Sequence, residues 1–324
     1  NISLKCRFQI GDQHGEYKVV IGSARGEFEI IEESGSWTGP DPFVQRDKGE
    51  ELFHSTRSFK RDQKGNVEFD LASTPIGNLP TQTVPKSDLA LALISPNVPT
   101  VHRFLFVHLY EEITGCGAYS IYPNKIREPQ SISNADVLAD DGTNLASIIR
   151  QMRSTSHRVN KEQLTRSIQS VIPIVQEIRI ESAGGFFVPV FRVKETEGGY
   201  QHDLNMSQVS DGTLRMLGML TAFYQPRAPN RITLEEPEQM IHPGLLPILV
   251  DAGRDFLDRS ANKQLFYTTH SPTLLDSFES TQIIACSFEH GESRFSPMSH
   301  RQMKLVKDNL FTPGELLVRE GIIA

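Results

Sequence analysis

The residues of this sequence best suited to chemistry fall in three short polar clusters: Ser210-Asp211-Gly212-Thr213, Glu235-Glu236-Pro237-Glu238 and Thr268-Thr269-His270-Ser271. Two adjacent carboxylates suit a divalent cation and a water. One of the pair Glu235 and Glu236 can hold Mg2+ directly or through water, and the other can orient an attacking water. His270 stands beside the start of a helix, a position that favours anions. Gly212, at another helix start, would let a phosphate approach backbone N–H groups. Each cluster alone has a plainer reading: a solvated strand end, a structural histidine, an ordinary capped core helix.

The elements that must position these residues are legible around them. Ile232-Thr233-Leu234 is a short β-prone run that ends in two carboxylates and Pro237, which has no N–H to continue a ladder. Such a run suits a buried parallel strand. Gln264 to Thr269 is a second strand, rich in aromatic and β-branched residues. Ser271-Pro272 then reads as the N-cap and first residue of a helix. Ser210 or Asp211 caps a third element, a helix carrying Leu214, Met216, Leu217, Leu220, Phe223 and Tyr224. In open α/β sheets ligands bind beyond the carboxyl ends of the strands, where Glu235, Glu236 and His270 are expected.

Together the clusters resemble the C-terminal half of ABC-type ATPases of the SMC, RecF and OLD group. The likeness is greatest to predicted AAA-type ATPases of prokaryotic anti-phage defence systems. Ser210 to Arg215 looks like the signature motif, Ile232 to Glu238 like Walker B with its catalytic glutamate, and Thr268 to Pro272 like the switch-histidine segment. Glu235 stands where many ABC ATPases carry Asp, a change that the defence-type subgroup often shares. The resemblance implies an α/β fold: an ABC-ATPase-like mixed or parallel sheet with flanking helices, an antiparallel β subdomain at the N-terminus and a helical arm or lid insertion. It implies ATP and Mg2+ as cofactors, Glu236 and His270 as catalytic residues and Glu235 as the metal ligand. Ser210, Asp211, Gly212 and Thr213 would act in trans on a partner's ATP. The implied assembly is a homodimer, or a higher homo-oligomer, built through the ATP sandwich and controlling a separate nuclease or toxin-like effector. The opposing expectation is a catalytically dead ATPase-like scaffold.

The phosphate-cradling pattern G-x-x-x-x-G-K-[ST] is not in these residues, which contain no Gly-Lys pair. Three explanations are open: a segment trimmed ahead of Asn1, a loop on another chain, or a degenerate relative. A trimmed segment is the expectation, because the sequence enters directly into strand-like text without Met.

With 324 residues and a net charge of −7, the chain is long enough for more than one lobe and is not a globally basic nucleic-acid binder. Cys6, Cys116 and Cys286 share no metal or redox spacing, which fits a reducing cytoplasm. No uncharged apolar run would span a bilayer, so no membrane association is expected. Ile2 to Phe8, Tyr17 to Ile21 and Gly26 to Ile31 alternate as antiparallel hairpins. Trp37, Phe43, Phe53 and Phe59 read as satellite core, and Arg57, Lys60, Arg61 and Lys64 as a solvated basic face. Residues 101 to 109 read as a helix leading into a strand. The run from Arg150 to Arg166 is basic and could contact DNA, although a solvated helix face is the plainer reading. The expected organisation is a β-rich part of the ATPase lobe over 1–125, a helical arm or lid over 126–182, and a lobe carrying the three motifs over 183–324.

Overall fold

A computed structural model of the chain describes residues 2–10, 13–24, 26–40, 54–70, 81–91, 110, 115–195, 198–289 and 291–323. The expectations at Phe43, at Phe53 and over 101–109 lie outside these residues. The chain divides into two units, Asn1–Thr114 and Gly115–Ala324.

The first unit is an antiparallel meander of β1 (Ile2–Ile10), β2 (Gln13–Ala24), β3 (Glu27–Pro40), β4 (His54–Arg61), β5 (Asn66–Asp70) and β6 (Gln82–Thr83), paired in sequence order. The hairpins expected from the alternating text are present as β1, β2 and β3. Trp37 and Phe59 are buried as expected, with Tyr17, Val19, Val67 and Phe69 also inside.

Of the four basic residues expected on a solvated face, Lys60 and Lys64 are exposed as expected, whereas Arg57 and Arg61 are buried. Successive strand residues face opposite sides, and Arg57, Phe59 and Arg61 share the buried side. Arg61 donates to the carbonyls of Pro85 at 2.7 Å and Asp88 at 2.6 Å, and stands 3.6 Å from the buried Glu33 carboxylate. Glu33 also accepts from the Tyr17 hydroxyl at 2.9 Å and from the N–H groups of Ala90 and Leu91. The Arg61 guanidinium serves an internal polar network, the condition under which a charge can be buried.

The second unit holds a parallel sheet of β7 (Cys116–Tyr119), β12 (Arg231–Glu235) and β13 (Gln264–Thr268), with β12 in the middle. Between β7 and β12 the chain builds an antiparallel sheet in which β10 (Phe186–Lys194) pairs with β8 (Gln130–Ser131), β9 (Val175–Ala183) and β11 (Gln201–Asn205). The tight β9–β10 turn is made by Gly184 and Gly185, both at positive φ. The helix Asp211–Tyr224 is buried on every side from Thr213 onward, the pattern of a central helix.

The segment 126–182, expected as an arm or lid, sends the helices Leu145–Gln151 and Arg158–Val171 into the same hydrophobic core as the helix Asp211–Tyr224. The helix Leu246–Asp258 buries Leu249, Ala252 and Phe256, the stripe its sequence spacing indicates. Past the parallel sheet, β14 (Ile284–Glu289) and β15 (Glu292–Pro297) form a two-stranded ribbon, followed by the helices His300–Lys307 and Pro313–Glu320. The unit is mixed α/β. Among the described residues no helix is long and apolar enough to cross a membrane.

Candidate active site

Parallel pairing puts Glu235 opposite Thr268, so β12 and β13 end side by side. Burial fixes this register: Ile232 and Leu234 are fully buried, whereas Glu235 is exposed at the tip. Beyond Glu235 the backbone turns sharply. Glu236 takes a left-handed conformation with φ at 40°, unusual for a residue with a Cβ. Its N–H donates to the Thr268 carbonyl at 3.0 Å and to Thr268 Oγ1 at 3.1 Å. Its carbonyl accepts from the Gln239 N–H at 3.1 Å, and its carboxylate accepts from the Gln239 side-chain amide.

This turn brings Glu236 Oε1 to 3.9 Å from His270 Nε2. The histidine side chain is 88% exposed, so it can reach an incoming group. The third acid of the cluster holds the histidine segment: Glu238 Oε1 accepts from Thr269 Oγ1 at 2.7 Å and from the His270 N–H at 3.0 Å. Ser271 then caps the short helix Pro272–Leu275. Two of the three clusters are thus joined into one site, and neither Glu238 nor Thr268 was singled out from the sequence as a supporting residue. The run of acids in the motif was the available signal for Glu238.

The remaining cluster starts the buried helix. Ser210 is the N-cap, its Oγ accepting from the Thr213 N–H at 3.3 Å and lying 2.9 Å from Thr213 Oγ1. The Asp211 carboxylate pairs with Arg127, which also donates to the Val209 carbonyl at 3.2 Å. Arg127 is 84 residues away in sequence and carries no motif, so sequence reasoning missed it. At Gly212 a Cβ would lie 2.4 Å from the Met240 carbonyl oxygen. The missing side chain therefore admits the loop after Glu236, a packing role that the phosphate-approach reading did not foresee. Arg215, one turn on, donates to the carbonyls of Glu235 at 3.2 Å and Glu236 at 3.1 Å. Burial pushes its pKa down, against the opposing pull of Glu238, Tyr122, Glu236 and Glu235. His242 caps the turn Pro243–Leu245, with Nδ1 accepting from the Gly244 N–H at 3.1 Å.

The donor set fits a magnesium ion shared with a phosphate. Mg2+ takes one or two protein carboxylates and fills its octahedron with water and phosphate oxygens. The exposed Glu235 carboxylate makes no hydrogen bond among the described residues. Nor do three His, Cys, Asp or Glu side chains converge there as a closed metal cage.

The basic run from Arg150 to Arg166 is split by the fold. Arg150 stacks over the Phe187 ring at 4.6 Å. Arg153, Arg158, Lys161 and Arg166 instead line a furrow of about 670 Å³ together with Glu162 and Glu177. Arg158 pairs with Glu162 at 2.8 Å and Lys161 with Glu177 at 2.7 Å.

Residues 110–276, just over half of the chain, match the family described as "AAA domain, putative AbiEii toxin, Type IV TA system". No curated protein sequence matches the chain. Three solved structures of SMC proteins show a distant likeness to the chain. One, described in terms of ATP-driven dimerization and DNA-stimulated activation of SMC ATPases, is 13% identical with a TM-score of 0.37, covering 50% of this chain and 97% of its own. The SMC head domain from Thermotoga maritima is 10% identical with a TM-score of 0.39, covering 83% and 74%. An SMC head bound to the C-terminal winged-helix domain of ScpA is 10% identical with a TM-score of 0.42, covering 87% and 78%. Likeness at this level assigns no activity.

Proposed function

The chain belongs to this AAA-domain family, and from that premise we propose that it is the ATP-binding and ATP-hydrolysing subunit of a defence or DNA-maintenance complex. The observation that carries the reading is the meeting of Glu236 and His270, 3.9 Å apart, at the tips of two parallel strands beside the free carboxylate of Glu235. In this reading Mg2+ bound at Glu235 supplies charge neutralisation to the phosphates. Glu236 orients the attacking water and accepts its proton. His270, exposed and tethered through its N–H to Glu238, contacts the terminal phosphate and registers its loss.

The reading requires a phosphate-binding loop, a pattern that these residues do not contain. β13 is an edge of the described parallel sheet, and its Phe266 is 47% exposed. An edge of this kind is a template for a further strand, as is β7 at the other side of the described sheet, and a strand leading into the phosphate loop would pair at one of the two. Ser210, Asp211, Gly212 and Thr213 act in trans, where a capped helix start offers N–H groups and a positive dipole end to a partner's nucleotide. Pairing is head to tail, as a homodimer or higher homo-oligomer, and hydrolysis shifts its geometry to control a separate nuclease or toxin-like effector. The furrow bearing Arg153, Arg158, Lys161 and Arg166 is the place for a DNA contact through phosphates. Such a contact would weaken steeply with added salt.

The test is Glu236→Gln in the full-length gene product. Nucleotide binding by titration calorimetry should persist while turnover falls by about two orders of magnitude or more. Turnover near the wild-type rate would remove Glu236 from the mechanism, and absence of ATP binding by the unaltered protein would leave the scaffold alternative.

A further inference from the structure

The signature helix and the hydrolytic turn are tied together inside one chain, and Arg215 makes the tie. Its side chain is buried, with the residue 5% exposed. A guanidinium keeps its charge under all ordinary conditions, and burying it is costly unless its donors are matched. The usual partner would be a carboxylate gripped by two parallel hydrogen bonds. Arg215 instead directs one terminal nitrogen to the carbonyls of Glu235 and Glu236, the two peptide units that form the strand tip and the turn. Its Nε and the Oε2 atom of Glu238 are both buried without a hydrogen-bond partner among the described residues. The charge is therefore balanced by the surrounding Glu235, Glu236 and Glu238 carboxylates rather than fixed by one of them.

What Arg215 holds is a strained conformation. A non-glycine residue at φ 40° persists only where its surroundings over-determine it. Thr268 fixes the Glu236 N–H, and Gln239 and Arg215 fix its carbonyl. Of these three, only Arg215 comes from the helix Asp211–Tyr224, whose N-cap Ser210 lies just over one turn away. The same helix start is packed against the loop after Glu236 through the contact between Gly212 and the Met240 carbonyl.

We propose that Arg215 is the positioning residue of Glu236 and that it makes the geometry of the hydrolytic turn depend on the placement of the signature helix. The inference rests on Glu236 being the hydrolytic group and adds a route of regulation. A ligand that draws on the Ser210 end of the helix moves the donor that holds Glu236. In a head-to-tail pair, each chain's signature end and Glu236 serve different nucleotides, so Arg215 links the two sites.

The experiment compares steady-state ATP hydrolysis by the full-length wild type, Arg215→Gln, Arg215→Lys and Glu236→Gln, with thermal melting of each. Arg215→Gln is expected to lower kcat by more than about threefold while KM stays unchanged; loss of folded protein would leave the same split, so each variant is assayed well below its own melting temperature, where it is folded. Arg215→Lys, whose single ammonium cannot reproduce the fixed guanidinium fork, is expected between the two. A smaller fall in kcat, or one carried by KM, overturns the inference. If Arg215→Gln does not fold, Arg215→Lys decides alone: a lower kcat at constant KM supports the inference, and wild-type kinetics overturns it. Turnover lost in Glu236→Gln but kept in Arg215→Gln defeats only this inference. Turnover kept in Glu236→Gln defeats the reading of Glu236 and this inference with it.

Discussion

Glu236 adopts a backbone that glycine and asparagine tolerate better than glutamate does. Strain of this kind costs roughly 1–3 kcal/mol and is characteristic of functional turns. Glu236→Asn is therefore expected to raise stability by about 1 kcal/mol in thermal melts while removing hydrolysis. A lowered melting temperature would show that the glutamate side chain supports the turn instead. Gly212 gives a second residue-scale prediction. A methyl group there would meet the Met240 carbonyl at 2.4 Å, so Gly212→Ala is expected to destabilise by roughly 1–3 kcal/mol even without nucleotide. An unchanged apo melting temperature with impaired nucleotide response would return Gly212 to the phosphate-approach role. These two residues also mark how far the sequence reaches. Glu236 and His270 are legible because each follows a short apolar run that stops at a helix- or turn-forming residue. Gly212 was noticed, but its neighbour Met240 was not, because a contact across 28 residues has no sequence period. Arg127 and Arg215 were invisible as supports for the same reason: their partners, the Asp211 carboxylate and backbone carbonyls, lie on distant segments.

At the scale of elements, β12 and β13 are readable because each is a short β-prone run bounded by turn residues, whereas β4 misleads. Its arginines alternate with Phe59 and look solvated until Glu33 and the carbonyls of Val84, Pro85 and Asp88 are placed beside Arg61. The central strand should dominate the stability of the second unit. Leu234 is fully buried between β7 and β13, and Leu234→Ala is expected to cost roughly 2–5 kcal/mol in denaturant unfolding. The adjoining strand gives a pH signature. Burial, with Asp140 nearby, pushes the Tyr119 phenol up to about 12, partly offset by the Gln225 amide donating to its oxygen. A raised pKa in the folded state means that the contribution is complete below the unfolded value of about 10 and is lost as pH rises through the folded one. Unfolding midpoints at about pH 9 and about pH 11 should fall less in Tyr119→Phe than in the wild type. Equal losses in both proteins would assign the alkaline transition to other groups.

At the scale of the whole molecule, the chain carries two surfaces that the proposed function assigns to different nucleotides. One is the Glu235–Glu236–His270 tip, and the other is the exposed cap of the signature helix, where Ser210 and Asp211 face solvent. If the signature acts in trans as proposed, the chain works only as a pair. Ser210→Arg puts a long cation where a partner's phosphate-bearing site must close, and is expected to abolish ATP-dependent pairing seen by light scattering. The same substitution also removes the cap on Thr213, worth about 1 kcal/mol. Ser210→Ala loses that cap and the hydroxyl without adding bulk, so it separates the effects: the alanine variant should melt slightly lower and pair with ATP more weakly than the wild type but better than the arginine variant. Pairing retained by the arginine variant would place the contact elsewhere, and pairing lost equally in both would trace it to the helix cap rather than to the closing surface.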